Sequence, residues 1–163
     1  MFDPVRMLEI LDEAGVRFVV VGGFAAIVHG SSLPTRDLDV VPARDAENLD
    51  LLGRALTQMN AKIRTSGDPV ETRIDGPYLS SMPLMLNLVT DHGELDLAFR
   101  PSGQLDGFEG WREHARQVEV APGLTVSVAA LDDVIDSKRA ANRPKDNLGL
   151  VYLESLQEQI EGQ

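Results

Sequence analysis

Apolar residues recur along this chain with two periods, one helical and one extended. Leu8, Leu11 and Ala14 fall at helical spacing behind Asp3-Pro4, which supplies an N-cap and a proline at the first helical position, and Gly15 closes the segment. Val16 to Val21, with the β-branched and aromatic run Phe18, Val19, Val20 and Val21, predicts a fully buried strand. It ends at Gly22-Gly23, a short apolar turn of helix follows, and Leu38 to Val41 predicts a neighbouring strand. Behind Asp45, a second capping residue, Leu49, Leu52, Leu56 and Met59 mark the core-facing stripe of another helix. From Ala61 to Pro83 the periodicity fades. Ile63 and Arg64 suit a short strand there, and Gly67, Asp68, Pro69, Gly76 and Pro77 mark loops.

Leu84–Thr90 and Glu94–Phe99 predict two strands joined by a tight turn at Asp91-His92-Gly93. A glycine-rich bend then leads to a short helix with Trp111 and His114, and Gln117–Val120 pairs with Leu124–Val128 around Pro122-Gly123. In the helix from Leu131, the residues Leu131, Val134, Ile135 and Ala141 face inward. Pro144 interrupts it, and a last helix from about Lys145 to Gln159 carries Leu148, Val151, Tyr152 and Leu156, leaving EQIEGQ as a frayed tail.

The 163 residues predict a single domain, 1–163, with a sheet-containing core to about residue 130 and a C-terminal helical part over about 131–160. Cysteine is absent, which excludes disulfides and thiolate–metal sites and fits a reducing cytoplasm. No stretch approaches the roughly 18 apolar residues that a membrane span needs, and no leader pattern opens the chain, so a soluble cytoplasmic protein is expected. A formal charge of −11 argues against a broad electrostatic grip on nucleic acid. One local exception is Lys138, Arg139, Arg143 and Lys145, four basic side chains with no acidic residue between them.

Four features carry chemistry. The Gly22-Gly23 turn lets backbone N–H groups approach an anion closely at the start of a helix. Asp37 and Asp39 stand at i and i+2 on a strand, which puts both carboxylates on one face, opposite Leu38 and Val40, where they can hold divalent cations beside a phosphate. Asp96, central in a later strand, is either at a solvent-facing edge or a third metal ligand, because a mid-strand carboxylate calls for a reason. Lys138 lies one turn beyond Val134 and Ile135 on the inward stripe; it pairs with a carboxylate of the fold, reaches a ligand phosphate, or snorkels from the stripe's edge. The three histidines are too scattered for a zinc site, and His29 suits capping or packing.

In this order and spacing, GGFAAIVHG, TRDLDVV, GELDLAFRPSG and VAALDDVIDSKRAANRPKD resemble the nucleotidyltransferase superfamily, and within it the small AbiEii/MenT-type toxin enzymes. The resemblance implies an α/β (α+β) fold of the polymerase-β-like kind, with a mixed central sheet flanked by helices and C-terminal helices beyond. It implies NTP as substrate, one or two Mg²⁺ ions on Asp37, Asp39 and Asp96, and transfer of NMP to a hydroxyl with release of pyrophosphate. In that scheme Asp96 is also expected to assist deprotonation as general base. Gly22, Gly23 and Lys138 are expected on the triphosphate. Lys138 and Asp146 correspond to the functional lysine and acid of the C-terminal helices, and Arg139, Arg143 and Lys145 are expected to grip triphosphate or substrate.

The chain departs from the pattern at two places. Phe24 stands where many relatives have Ser or Thr, so Ser31 or Ser32 is expected to supply that hydroxyl, and Leu33 stands where many carry a basic residue. The expected acceptor is the tRNA 3′ end, or another RNA, with a cognate antitoxin as partner and no membrane. The alternatives are AMP transfer to a protein or to a small molecule such as an antibiotic, and a catalytically inactive binding module that keeps the fold.

Overall fold

A computed structural model describes residues 1–162. The elements run α1 (Pro4–Glu13), β1 (Phe18–Val21), α2 (Gly22–Val28), β2 (Asp37–Pro42), α3 (Ala46–Gln58), β3 (Lys62–Ile63), α4 (Gly76–Ser80), β4 (Met85–Thr90), β5 (Gly93–Ala98), α5 (Gly107–His114), β6 (Arg116–Ala121), β7 (Leu124–Val128), α6 (Leu131–Ala141) and α7 (Pro144–Glu161). The caps act as the sequence predicts. Asp3 accepts from the Arg6 N–H at the start of α1, and Asp45 accepts from the Asn48 N–H at the start of α3.

The strands form one seven-stranded mixed sheet in the order β3-β4-β5-β2-β1-β7-β6. The β2–β5 and β1–β7 pairs are parallel, and the other four are antiparallel. Asp96 therefore lies on an interior strand, so the solvent-edge reading of that residue is excluded. Leu38, Val40, Leu86, Leu88, Leu95 and Leu97 are buried on the face that α-helices cover. Among the described residues no helix is long and apolar enough to cross a membrane.

Three differences from the sequence reading have physical causes. The short helix α4 falls in the stretch read as loop, because its only start signals are Asp75 as cap and Pro77 near the first turn. The tail is helical through Glu161 rather than frayed from Glu158. In α7 the buried positions are Asp146, Leu150 and Leu153, whereas Leu148 and Val151 are 85% and 75% exposed. Apolar residues surround this helix on all sides, so periodicity alone does not select the face that packs on α6.

This phase is testable by denaturant unfolding. Leu153→Ala should cost about 2–5 kcal/mol, as truncation of a buried leucine does, and Leu148→Ala should stay within about 0.5 kcal/mol of the parent. Equal costs would refute the assignment.

Candidate active site

Asp37 and Asp39 on β2 and Asp96 on β5 reach one place because their strands are parallel and in register. Asp37 pairs with Glu94, Leu38 with Leu95, Asp39 with Asp96 and Val40 with Leu97. Alternation sends the four apolar residues into the core and the four acidic ones to the opposite face. There they line a cleft of about 960 Å³. One oxygen from each of Asp37, Asp39 and Asp96 lies within 4.8 Å of the others, and this is the one such cluster of potential metal-ligating side chains among the described residues.

Gathering these charges perturbs them. Burial, then a hydrogen bond with Asp37 and the charge of Asp39, pushes the Asp96 carboxyl up to about 8, against the pull of Arg64. Burial and the charge of Asp37 push Asp39 up to about 6, although a hydrogen bond with Asp96 and the charges of Lys138 and Lys145 oppose the rise. A cluster short of positive charge, made only of carboxylate oxygens at shared-ligand spacing, fits a hard divalent cation such as Mg²⁺. The histidines stand elsewhere: His29 Nε2 is 2.7 Å from Ala129 O, and His114 Nδ1 is 2.9 Å from Asp133.

The glycine turn is cut to this cluster. Gly22 has φ +68°, and a Cβ there would collide with the Asp39 carboxylate. A Cβ on Gly23 would lie 3.0 Å from Thr35 Oγ1. That hydroxyl donates to Asp37 O at 3.1 Å and reaches Asp37 Oδ1 at 3.3 Å, which ties the approach to β2 to its first carboxylate.

The other wall comes from α6 and α7. Lys138 and Lys145 line the cleft, and so does Arg143. Lys138 Nζ lies 3.7 Å from Asp146 Oδ1, so the inward lysine has a carboxylate of the fold as partner. Asp146, only 2% exposed, also accepts from Arg143 Nε at 2.6 Å and Nη2 at 3.3 Å. Two expected residues stand apart from the cleft. Arg139 points to Asp136 and Glu154, and the Ser32 hydroxyl bonds Tyr152. Neither residue lines the cleft, and their polar groups are hydrogen-bonded to those partners. Ser31 lines the cleft, with its Oγ accepting from the Leu33 N–H. Phe24 packs on the core, and Leu33 sits at the cleft.

Three cleft residues escape the sequence reading. Thr35 stands two residues before Asp37, the spacing of a side chain that bonds nearby backbone. Asn87 opposes Asp96 across β4–β5, and asparagine inside a strand is itself a signal. Arg64, whose Nη2 donates to Asp96 Oδ1 at 2.8 Å, comes from a stretch with no periodicity to place it.

The sequence matches no protein-family model and no curated protein. The fold does have solved counterparts. The lincosamide antibiotic adenylyltransferase LnuA, in a lincomycin-bound structure, aligns with TM-score 0.62 and 15% identity over 93% of this chain and 94% of that one. ANT(2″)-Ia in complex with adenylyl-2″-tobramycin gives TM-score 0.58 and 16% identity over 96% and 90%. A Thermotoga maritima protein described as a nucleotidyltransferase gives 0.54 and 17% over 100% and 97%. At such identities the likeness is one of architecture: the chain has the nucleotidyltransferase fold.

The raised carboxyls set a pH dependence. Above the ordinary carboxylate range near 4, the folded chain holds protons that the unfolded chain has released, at Asp39 up to about 6 and at Asp96 up to about 8. Their contribution to stability is therefore complete at low pH and is lost as pH rises through that window. The unfolding midpoint of metal-free protein should fall more steeply from pH 5 to 8.5 in the parent than in Asp96→Asn. Identical slopes in thermal unfolding would contradict the raised carboxyl.

Proposed function

We propose that the chain is a Mg²⁺-dependent nucleotidyltransferase that transfers NMP from an NTP to a hydroxyl. The observation that carries this reading is the three-carboxylate cluster facing Gly22 and Gly23 on one side and Lys138 on the other. One or two Mg²⁺ ions held by Asp37, Asp39 and Asp96 would neutralise triphosphate charge and lower the pKa of the attacking hydroxyl. Asp96 takes the hydroxyl proton as oxygen attacks the α-phosphorus and pyrophosphate leaves. Backbone N–H groups of Gly22 and Gly23 cradle the β- and γ-phosphates, and Lys138 balances the charge of the departing pyrophosphate. Asp146 holds Lys138 and Arg143 at the wall, with Lys145 beside them.

The acceptor we assign is a small molecule or a protein hydroxyl. Five basic side chains in the cleft, Arg36, Arg64, Lys138, Arg143 and Lys145, match five acidic ones, so the formal −11 belongs to the rest of the chain. A compact acceptor stays inside the neutral cleft, whereas a long polyanion would run out over acidic surface. Two of the structural counterparts carry antibiotic substrates in their names, an adenylyltransferase of lincosamides and a complex with adenylyl-2″-tobramycin. The second reading is an AbiEii/MenT-like toxin that extends a tRNA 3′ end and is restrained by an antitoxin. It draws on the basic run from Lys138 to Lys145, part of which lines the cleft. A cytoplasmic location goes with either reading.

Incubation with α-labelled NTPs and Mg²⁺, in parallel with lincomycin, tobramycin, cell protein and total tRNA, separates them. Label on a small molecule or protein, lost in Asp37→Asn and Asp39→Asn, is the expected result. Labelled tRNA would put the toxin reading first. A folded chain that binds no NTP with Mg²⁺ by calorimetry would be a binding module, and the enzyme proposal would fall.

A further inference from the structure

Arg64 leaves the two-residue edge strand β3 and reaches back over β4 to the carboxylate cluster. Its backbone N–H donates to Asn87 O at 3.0 Å, and the preceding Ile63 exchanges two backbone hydrogen bonds with Val70, at 2.9 and 3.0 Å, so its Cα is anchored from both sides. The guanidinium then meets three acceptors. Nη1 donates to Leu88 O at 3.2 Å and lies 3.4 Å from Glu94 Oε2, and Nη2 donates to Asp96 Oδ1 at 2.8 Å. Among the described residues no other cation forms an ion pair with Asp37, Asp39 or Asp96. A planar fork of fixed N–H directions serves such a set of acceptors, and a lysine ammonium on its flexible stem does not.

We infer that Arg64 is a positioning residue for the metal-binding carboxylates. By tying down Oδ1 of Asp96 it fixes that side chain's rotation and leaves Oδ2 for the cation shared with Asp37 and Asp39. The positive charge so close to the cluster would repel an incoming cation, and Glu94, two residues along the same strand face, offsets it. Carboxylates that ligate metals are themselves held by hydrogen bonds, and loss of such a partner weakens metal binding roughly 10- to 100-fold. The inference rests on the nucleotidyltransferase reading, since it assigns Arg64 to that site.

The test uses Mn²⁺ alone as probe on the full chain, with binding followed by water-proton relaxation and folding by thermal unfolding. Arg64→Ala should weaken Mn²⁺ binding roughly 10- to 100-fold with little change in unfolding midpoint, because Arg64 is partly exposed and its backbone anchors remain. Arg64→Lys restores the charge without the fork and should recover only part of the loss. Glu94→Gln, which leaves the guanidinium charge unbalanced, should weaken binding as well. Arg64→Ala binding as tightly as the parent, or tighter, overturns the inference. If that variant does not fold, Arg64→Lys decides, and parental affinity in it overturns the fork argument. A parent chain that binds no Mn²⁺ overturns the nucleotidyltransferase reading itself, a different outcome from a parent that binds and an Arg64→Ala variant that binds equally.

Discussion

Asp39 and Asp96 sit directly opposite each other on adjacent parallel strands, with Asp37 two residues away on the same face. Like charges placed this way destabilise a sheet. The arrangement persists because the reverse side of the same two strands is Leu38, Val40, Leu95 and Leu97, all fully buried. Slippage of β2 against β5 by one residue would send Leu38 and Val40 to the cleft and Asp37 and Asp39 into the core. Register, core packing and the acidic cluster are thus one constraint, and the sheet cannot relieve the repulsion without giving up its apolar face.

The second wall of the cleft depends on a different kind of joint. Asn142 takes a left-handed conformation, φ 51°, at the end of α6, and Pro144 opens α7 immediately afterwards. This tight reversal brings Asp146 in the first turn of α7 back against Lys138 in the last turn of α6. A carboxylate that is 2% exposed is tolerable only with its charge paired, and Arg143 and Lys138 both serve it. Lys138 and Arg143 are therefore held in place by the fold.

Much of this architecture is legible in the residues. Asp3-Pro4 and Asp45 announce their helices, the Phe18–Val21 run announces a buried strand although Arg17 before it is exposed, and the alternation of Glu94 to Phe99 puts Asp96 on a face opposite Leu95 and Leu97. The helix phase of Lys138 likewise carries it to the cleft. Arg64 is not legible, because its position comes from a two-residue strand and a long-range pairing with β4 that leave no periodic trace. The face of α7 is lost for the opposite reason: with Leu148, Leu150, Val151, Leu153 and Leu156 all apolar, the pattern offers several faces at once, and packing on α6 chooses between them. Ser32 and Arg139 show a third limit, since residue type suggests an anion contact while Tyr152, Asp136 and Glu154 take up the side chains.

The balanced cleft set in an acidic shell bears on the speed of ligand arrival as well as on its fit. A free nucleoside triphosphate, carrying close to four negative charges, would meet net repulsion once it comes within a Debye length of the acidic surface, about 8 Å at physiological ionic strength. The same nucleotide already complexed with a divalent ion carries about half that charge and would feel about half the barrier. For the proposed reaction the shell would then work as a valence filter, admitting the metal-bound form of the nucleotide faster than the bare one.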